Sequence, residues 1–159
     1  MSQITLDAID RKLLRELVRD ARVSQVVLSD RIGLSPTACA RRMQQLEKAG
    51  LIRGCSIEVD AAMLGYMLTV MVRITLDGQN EQSLIAFEQA ISRCVNVTSC
   101  YLMSGTDDYL VQVQARDMED FERIHKQVLS RMPGVSRLHS SFAMRSVVNR
   151  TISPAALAD

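Results

Sequence analysis

The stretch 24–50, SQVVLSDRIGLSPTACARRMQQLEKAG, constrains the chain more than any other. It reads as two short helices joined by a tight turn over Ile32, Gly33, Leu34 and Ser35. Ser24 suits a helix N-cap, because its hydroxyl can accept from a first-turn backbone N–H that has no other partner. Leu28 and Ile32 are four apart and face one core. Gly33 fits the left-handed position just past a helix end. Ser35 and Pro36 then give a second start signal, with Ser as cap and Pro at the first helical position, where no N–H is needed. Such a pair cannot bury enough surface alone. The segment 6–21 supplies a third helix, with Asp7 as N-cap and an apolar stripe of Leu6, Ile9, Leu13, Leu14, Leu17 and Val18. Its arginines, Arg11, Arg15, Arg19 and Arg22, read as a solvated face, with a phosphate contact by one of them as the alternative.

The second helix of the pair has a divided surface. Cys39, Met43 and Leu46 recur at helical spacing as the buried stripe. At about 100° per residue, Thr37, Arg41, Gln44 and Lys48 fall on the opposite side, flanked by Ala38, Gln45 and Ala40. Small residues for close approach, Arg and Gln for base edges and cations for phosphates suit a helix in the DNA major groove. Ser35, Thr37, Ala38, Arg41, Arg42, Gln44, Gln45 and Lys48 are therefore the candidate DNA contacts. Arg42 lies nearer the buried stripe, and an ion pair with Asp10 is the competing role for it.

Charge supports this division. The net charge is only +1, but residues 1–54 hold ten Lys/Arg against six Asp/Glu, and residues 55–159 hold nine against twelve. A basic first third on an acidic remainder points to a polyanion for the first part alone. No run approaches the roughly 18 apolar residues of a membrane helix, and no basic-then-apolar start suggests export. A cytoplasmic protein acting on the nucleoid is expected, without cofactor or metal. Cys39, Cys55, Cys94 and Cys100 are scattered, with no CxxC pair, and are expected reduced. His125 and His139 have no ligand or nucleophile at useful spacing, so neither a metal site nor an enzyme is expected.

Past a short strand expected within Leu51–Asp60, where Ile57 and Val59 alternate with polar neighbours, the pattern changes. Tyr66–Leu76 alternates as a strand, with Leu68, Val70, Val72, Ile74 and Leu76 on one face. Glu81–Cys94 is a helix, Asn96–Met103 and Tyr109–Ala115 are strands about a turn, Asp117 caps a helix to Met132, and Ser136–Val147 is a last strand. Strand-helix-strand-strand-helix-strand is the ferredoxin-like plan, with both helices on one face of the sheet. The other face, with Met67 and Met71, is left open, and pairing of two such faces in a dimer is expected. The domains are 1–60 (helix-turn-helix with its linker strand), 61–150 (ferredoxin-like) and 151–159, a tail lying loosely on the surface.

The turn between the middle strands carries Gly105, Thr106, Asp107, Asp108 and then Tyr109. A free amino acid needs an anionic acceptor for its ammonium and N–H or hydroxyl donors for its carboxylate. Asp107 or Asp108 can serve the first, and the Gly105-Thr106 turn with Ser140 or Ser141 the second. The same residues also make an ordinary polar turn.

Taken together, LDAIDRKLL, GLSPTACARRMQQLEKAGLIRG, YLMSGTDDYLVQV, the PGV at Pro133–Val135 and SSFAMRSVV resemble the Lrp/AsnC, or feast-famine, family of transcriptional regulators. The resemblance spans nearly the whole chain in order. It implies an α+β protein: an N-terminal three-helix winged helix-turn-helix domain and a C-terminal ferredoxin-like βαββαβ domain. It further implies binding to double-stranded DNA, and homodimers assembling to octamers with an amino-acid effector between dimers. That effector would be held by Gly105, Thr106, Asp107, Asp108 and Tyr109 with Ser140 and Ser141, Asp108 being the expected ammonium partner. An architectural, nucleoid-associated protein without an effector is the alternative. The sequence departs from the family at Cys39 and Ala40, where bulkier residues are common, which bears on the DNA sequence preferred.

Overall fold

A computed structural model describes residues 5–158. The chain divides into two compact units. One runs to Glu58 and resumes at Val148; the other is Val59–Val147.

The first unit is a helix bundle: α1 (Ala8–Arg19), α2 (Gln25–Ile32) and α3 (Pro36–Lys48). Its helix ends follow the expected local chemistry. Ser24 and Ser35 accept from the N–H groups of Val27 and Ala38, and Gly33 takes φ +75° at the end of α2. Asp7 and Asp10 form a reciprocal capping box on α1. Leu13, Leu14, Leu28, Ile32, Cys39 and Leu46 make the buried core.

Three expectations change here. The strand placed within Leu51–Asp60 is absent. Leu51 and Ile52 instead donate to the Leu46 carbonyl and close the end of α3, while Ile57 and Val59 stay exposed with no strand beside them. The tail is not loose. Pro154–Leu157 forms a 3-10 turn, and Leu157 is only 6% exposed within the bundle core. Two arginines of α1 assigned to a solvated face serve it: Arg15 donates to the Leu157 carbonyl at 2.8 Å, and Arg11 to the Ala156 carbonyl at 3.5 Å.

The third change concerns Arg42, which is removed from the DNA-contact set. Its guanidinium donates to Asp7 at 2.6 Å and Asp10 at 2.7 Å. The competing role is the one adopted, because Arg42 lies on the edge of α3 that faces the start of α1. The Asp10 N–H, and after it the Arg42 guanidinium, hold the Asp7 carboxyl below the usual aspartate range.

The second unit is the four-stranded antiparallel sheet β2-β3-β1-β4, built from β1 (Leu68–Leu76), β2 (Val97–Leu102), β3 (Tyr109–Ala115) and β4 (Val135–Phe142). Helices α4 (Glu81–Ile91) and α5 (Met118–Gln127) are capped by Asn80 and Asp117. Both pack on one face with Val70, Val72, Ile74, Phe87, Val111, Val113, Phe121 and Ile124 buried between. Order and packing are those of the ferredoxin-like fold. The last strand stops at Phe142, short of the expected Val147, and α5 gives way to a 3-10 turn at Leu129–Arg131.

By register, the face turned from the helices carries Thr69, Met71, Arg73 and Thr75 from β1, Leu110, Gln112 and Gln114 from β3, Tyr101 from β2, and Arg137, His139 and Ser141 from β4. It is more polar than expected. Met67, counted on it from the sequence, lies outside the strand.

Two predictions follow from this packing. Leu13→Ala removes a fully buried side chain and should cost about 2–5 kcal/mol in urea denaturation. Arg42→Ala should lower the melting temperature of the helical unit at neutral pH. A depressed carboxyl pKa stabilises the fold above the ordinary aspartate range and stops doing so as pH falls through the depressed value. The gap between wild type and Arg42→Ala should therefore narrow below roughly pH 4. A gap constant down to acid would assign the brace no electrostatic share.

Candidate DNA-reading helix and effector loop

Helix α3 is held at its start and along one edge. Ser35 caps it, and Pro36 occupies the first helical position. From α2, Gln25 donates its amide to the Pro36 carbonyl at 3.0 Å. From α1, Asp7 and Asp10 grip Arg42. In this orientation Cys39 and Leu46 face the core, and Thr37, Arg41, Gln44, Gln45 and Lys48 are exposed. Ala38 is half-buried beside them. Arg41 and Arg42 are adjacent yet have different roles, since one helical step of about 100° turns one outward and the other onto α1. The exposed set holds a methyl-bearing hydroxyl, a guanidinium, two amides and an ammonium within one helix length. This inventory meets thymine methyls, purine edges and phosphates.

The loop between β2 and β3 places its residues in two different environments. Gly105, at φ +128°, allows a backbone turn closed to L side chains. Gly105 and Thr106 are exposed, and Asp107 is half-buried. The Asp107 carboxylate receives the Thr75 hydroxyl at 3.5 Å and lies 3.9 Å from Nε of Arg73. It thus sits toward the open face of the sheet.

Asp108 points the other way and is 7% exposed. One oxygen accepts from the Leu76 N–H and the other from the Gln79 amide, both at 2.7 Å. Its backbone N–H donates to the Ile74 carbonyl and its carbonyl accepts from Met103. A buried carboxylate must be satisfied by hydrogen bonds, and this one is satisfied by the fold. Asp108 is therefore a structural staple between the loop and the end of β1, which corrects its assignment as ammonium partner.

Tyr109 is likewise core. It is 1% exposed, stacks against Phe87 with ring centroids 4.5 Å apart, and donates its hydroxyl to Glu88 at 2.9 Å. Burial, followed by the Glu88 hydrogen bond, pushes its hydroxyl pKa strongly upward. Ser140 and Ser141 point to opposite faces, since strand side chains alternate. Ser141 lies opposite Met71 on the open face. Ser140 lies opposite Val72 on the helix side, its hydroxyl buried without a partner among the described residues. Met71 and Thr75 are four residues apart on β1, so Ser141 stands roughly 13 Å along the strand from Asp107. Within one chain the two serines and the loop do not converge. The residues that do surround Asp107, namely Arg73 and Thr75, were not singled out from sequence. Their alternation onto the open face was visible, but the pairing that brings the loop to them was not.

The four cysteines are free thiols. Burial raises the Cys39 thiol, and raises that of Cys100 to about 11, so neither is a reactive thiolate at neutral pH. Among the described residues no group of three or more His, Cys, Asp or Glu could hold a metal ion, and no helix is long and apolar enough to cross a membrane.

With this geometry in place, comparison with known proteins gives consistent matches. Residues 6–53 match a winged helix-turn-helix DNA-binding family, and residues 69–152 match the Lrp/AsnC ligand-binding domain. The leucine-responsive regulatory protein of Escherichia coli is 37% identical over 89% of this chain and 87% of its own length. The transcriptional regulator AzlB of Bacillus subtilis is 35% identical over 94% and 95%. Among solved structures, a transcriptional regulator from Neisseria meningitidis in complex with L-Met superposes with TM-score 0.88 at 31% identity, covering 92% of this chain and 95% of that one. The relatives are transcriptional regulators, not enzymes. The chain belongs to the Lrp/AsnC family of transcriptional regulators.

Proposed function

We propose that this regulator reads a specific DNA sequence with α3 and that a free amino acid binding the sheet unit alters that reading. The observation that carries the first half is the split between Arg41 and Arg42. An ion pair consumes Arg42, while Arg41 stands on the exposed side with Thr37, Gln44, Gln45 and Lys48. Arg41 donates to a base edge, guanine being its best bidentate partner. Thr37, Ala38, Gln44 and Gln45 face neighbouring bases, and Lys48 and the Ser35 end of the helix face phosphates.

For the effector, the opposite charges of Asp107 and Arg73 on the open face match the ammonium and carboxylate of an amino acid. Gly105 and Thr106 offer N–H and hydroxyl donors beside them. The L-Met complex of the Neisseria relative supports an amino acid as the ligand class. Asp108 and Tyr109 act by fixing the loop rather than by touching the ligand. Ser141 joins only from a second copy.

Met71, Leu110 and Tyr101 on the open face support a homodimer through that face, with further assembly to an octamer. Such a dimer presents two α3 helices to one side of the nucleoid DNA, reading half-sites about 34 Å apart or a multiple of it.

Arg41→Ala should weaken binding to the chain's operator by ~1–3 kcal/mol while leaving the fold unchanged. Equal affinity in the folded variant would reject the base contact. For the effector, calorimetry with leucine and methionine should show binding to wild type and a loss of about tenfold or more in Asp107→Asn, since a charged partner is worth ~1.4 kcal/mol or more. Asp108→Asn should instead lower the melting temperature. Equal ligand affinity in Asp107→Asn would reject Asp107 as the ammonium partner. An absence of binding by any amino acid at millimolar concentration would leave an architectural DNA-binding protein.

A further inference from the structure

Helix α1 is gripped from two sides by parts of the chain that are remote in sequence. At its start, Asp7 and Asp10 hold Arg42 of α3. Beside this grip and one turn beyond it, Arg11 and Arg15 donate to the carbonyls of Ala156 and Leu157. Leu157 inserts into the core beside the buried side chains of all three helices. Pro154 begins the 3-10 turn that aims it there. Between Phe142 and this turn the chain has no helix or strand and is exposed throughout Ala143–Ser153. Within this stretch the Asn149 amide donates to Glu58. The arrangement is an anchor on an arm: a small apolar plug with two carbonyl clamps, tied to the last strand of the ligand-binding unit.

We propose that the segment Ser153–Ala158 is a control arm of the DNA-binding unit. Docked, it fixes α1 and, through the Asp7 and Asp10 grip on Arg42, the orientation of α3. Undocked, it leaves the leucine socket open and α1 loose. The two arrangements are discrete, because the plug is either in the core or in water. A ligand bound to the sheet unit acts on this equilibrium through β4, from which the arm emerges, and coupling of this kind is reciprocal. This last step rests on the effector reading above.

The test uses the full chain. Leu157→Asp places a charge in the socket and should expel the arm. Leu157→Ala serves as the milder variant should the first fail to fold. Amide exchange should quicken by about tenfold or more in α1 and α3, with the β1–β4 amides unchanged. The free peptide SPAALAD, added in millimolar excess, should restore protection by occupying the empty socket. DNA affinity should fall in parallel, and its response to methionine or leucine should be lost although calorimetry still records ligand binding. Unchanged exchange in α1 in both variants would overturn the proposal. So would faster exchange with unaltered DNA affinity and ligand response, which would make the segment a structural staple only. If wild type binds DNA with no response to any amino acid, the effector reading fails separately, and exchange with DNA affinity still decides whether the arm governs α1 and α3.

Discussion

The guanidinium of Arg42, held between the two carboxylates at the start of α1, pins one edge of α3 to α1. A helix with cations on adjacent positions could rotate to offer either. Burial of Cys39 and Leu46 sets that rotation, and the ion pairs of Arg42 with Asp7 and Asp10 hold it. The Gln25 amide on the Pro36 carbonyl fixes the other end. Neither contact is strong alone, since partly exposed ion pairs contribute little each. Their importance is geometric: they convert a generic amphipathic helix into one with a defined outer face.

The sheet unit uses a buried charge in the same way. Asp108 accepts from the Leu76 N–H and from Gln79, so the β2–β3 loop, the end of β1 and the turn before α4 are tied at one carboxylate. Breaking such a charge loose is costly, because it would remain buried without partners. The neighbouring Asp107 is thereby held at a fixed place beside Thr75 and Arg73 while its carboxylate stays partly open to solvent. Two consecutive aspartates thus differ, one fastened by the fold and one partly open to solvent. The two consecutive arginines of α3 differ similarly, Arg42 being ion-paired and Arg41 exposed.

What could be read from the sequence was whatever depends on neighbours within a few residues. Ser24, Gly33, Ser35-Pro36 and Asp117 mark helix ends by local chemistry, and each stands where expected. The alternation from Leu68 to Leu76 gives that strand and its buried face, and Tyr109 to Ala115 is a strand as expected. What could not be read depends on partners far along the chain. The fate of the Asp108 carboxylate requires knowing that Leu76 and Gln79 arrive beside it. Ser140 and Ser141 look interchangeable until register puts them on opposite faces. The strand expected at Ile57 and Val59 had the right alternation but lacks a neighbouring strand among the described residues. Leu157 sits in an alanine-rich tail whose composition gives no sign of a socket more than a hundred residues earlier.

The insertion of Leu157 also bears on how the protein is made. The three helices are synthesised first, but their core is completed by a residue that leaves the ribosome only after the whole sheet unit. At ~5–20 residues per second, roughly five to twenty seconds separate α3 from its last core contact. During that interval the helical unit has an open socket in its core, and closing it requires a contact of very long sequence separation, the slow kind to form. A nascent chain therefore finishes its DNA-reading unit after the residues of its ligand-binding unit are already present. The order of synthesis thus leaves the helical unit without its Leu157 plug until nearly the whole chain has been made.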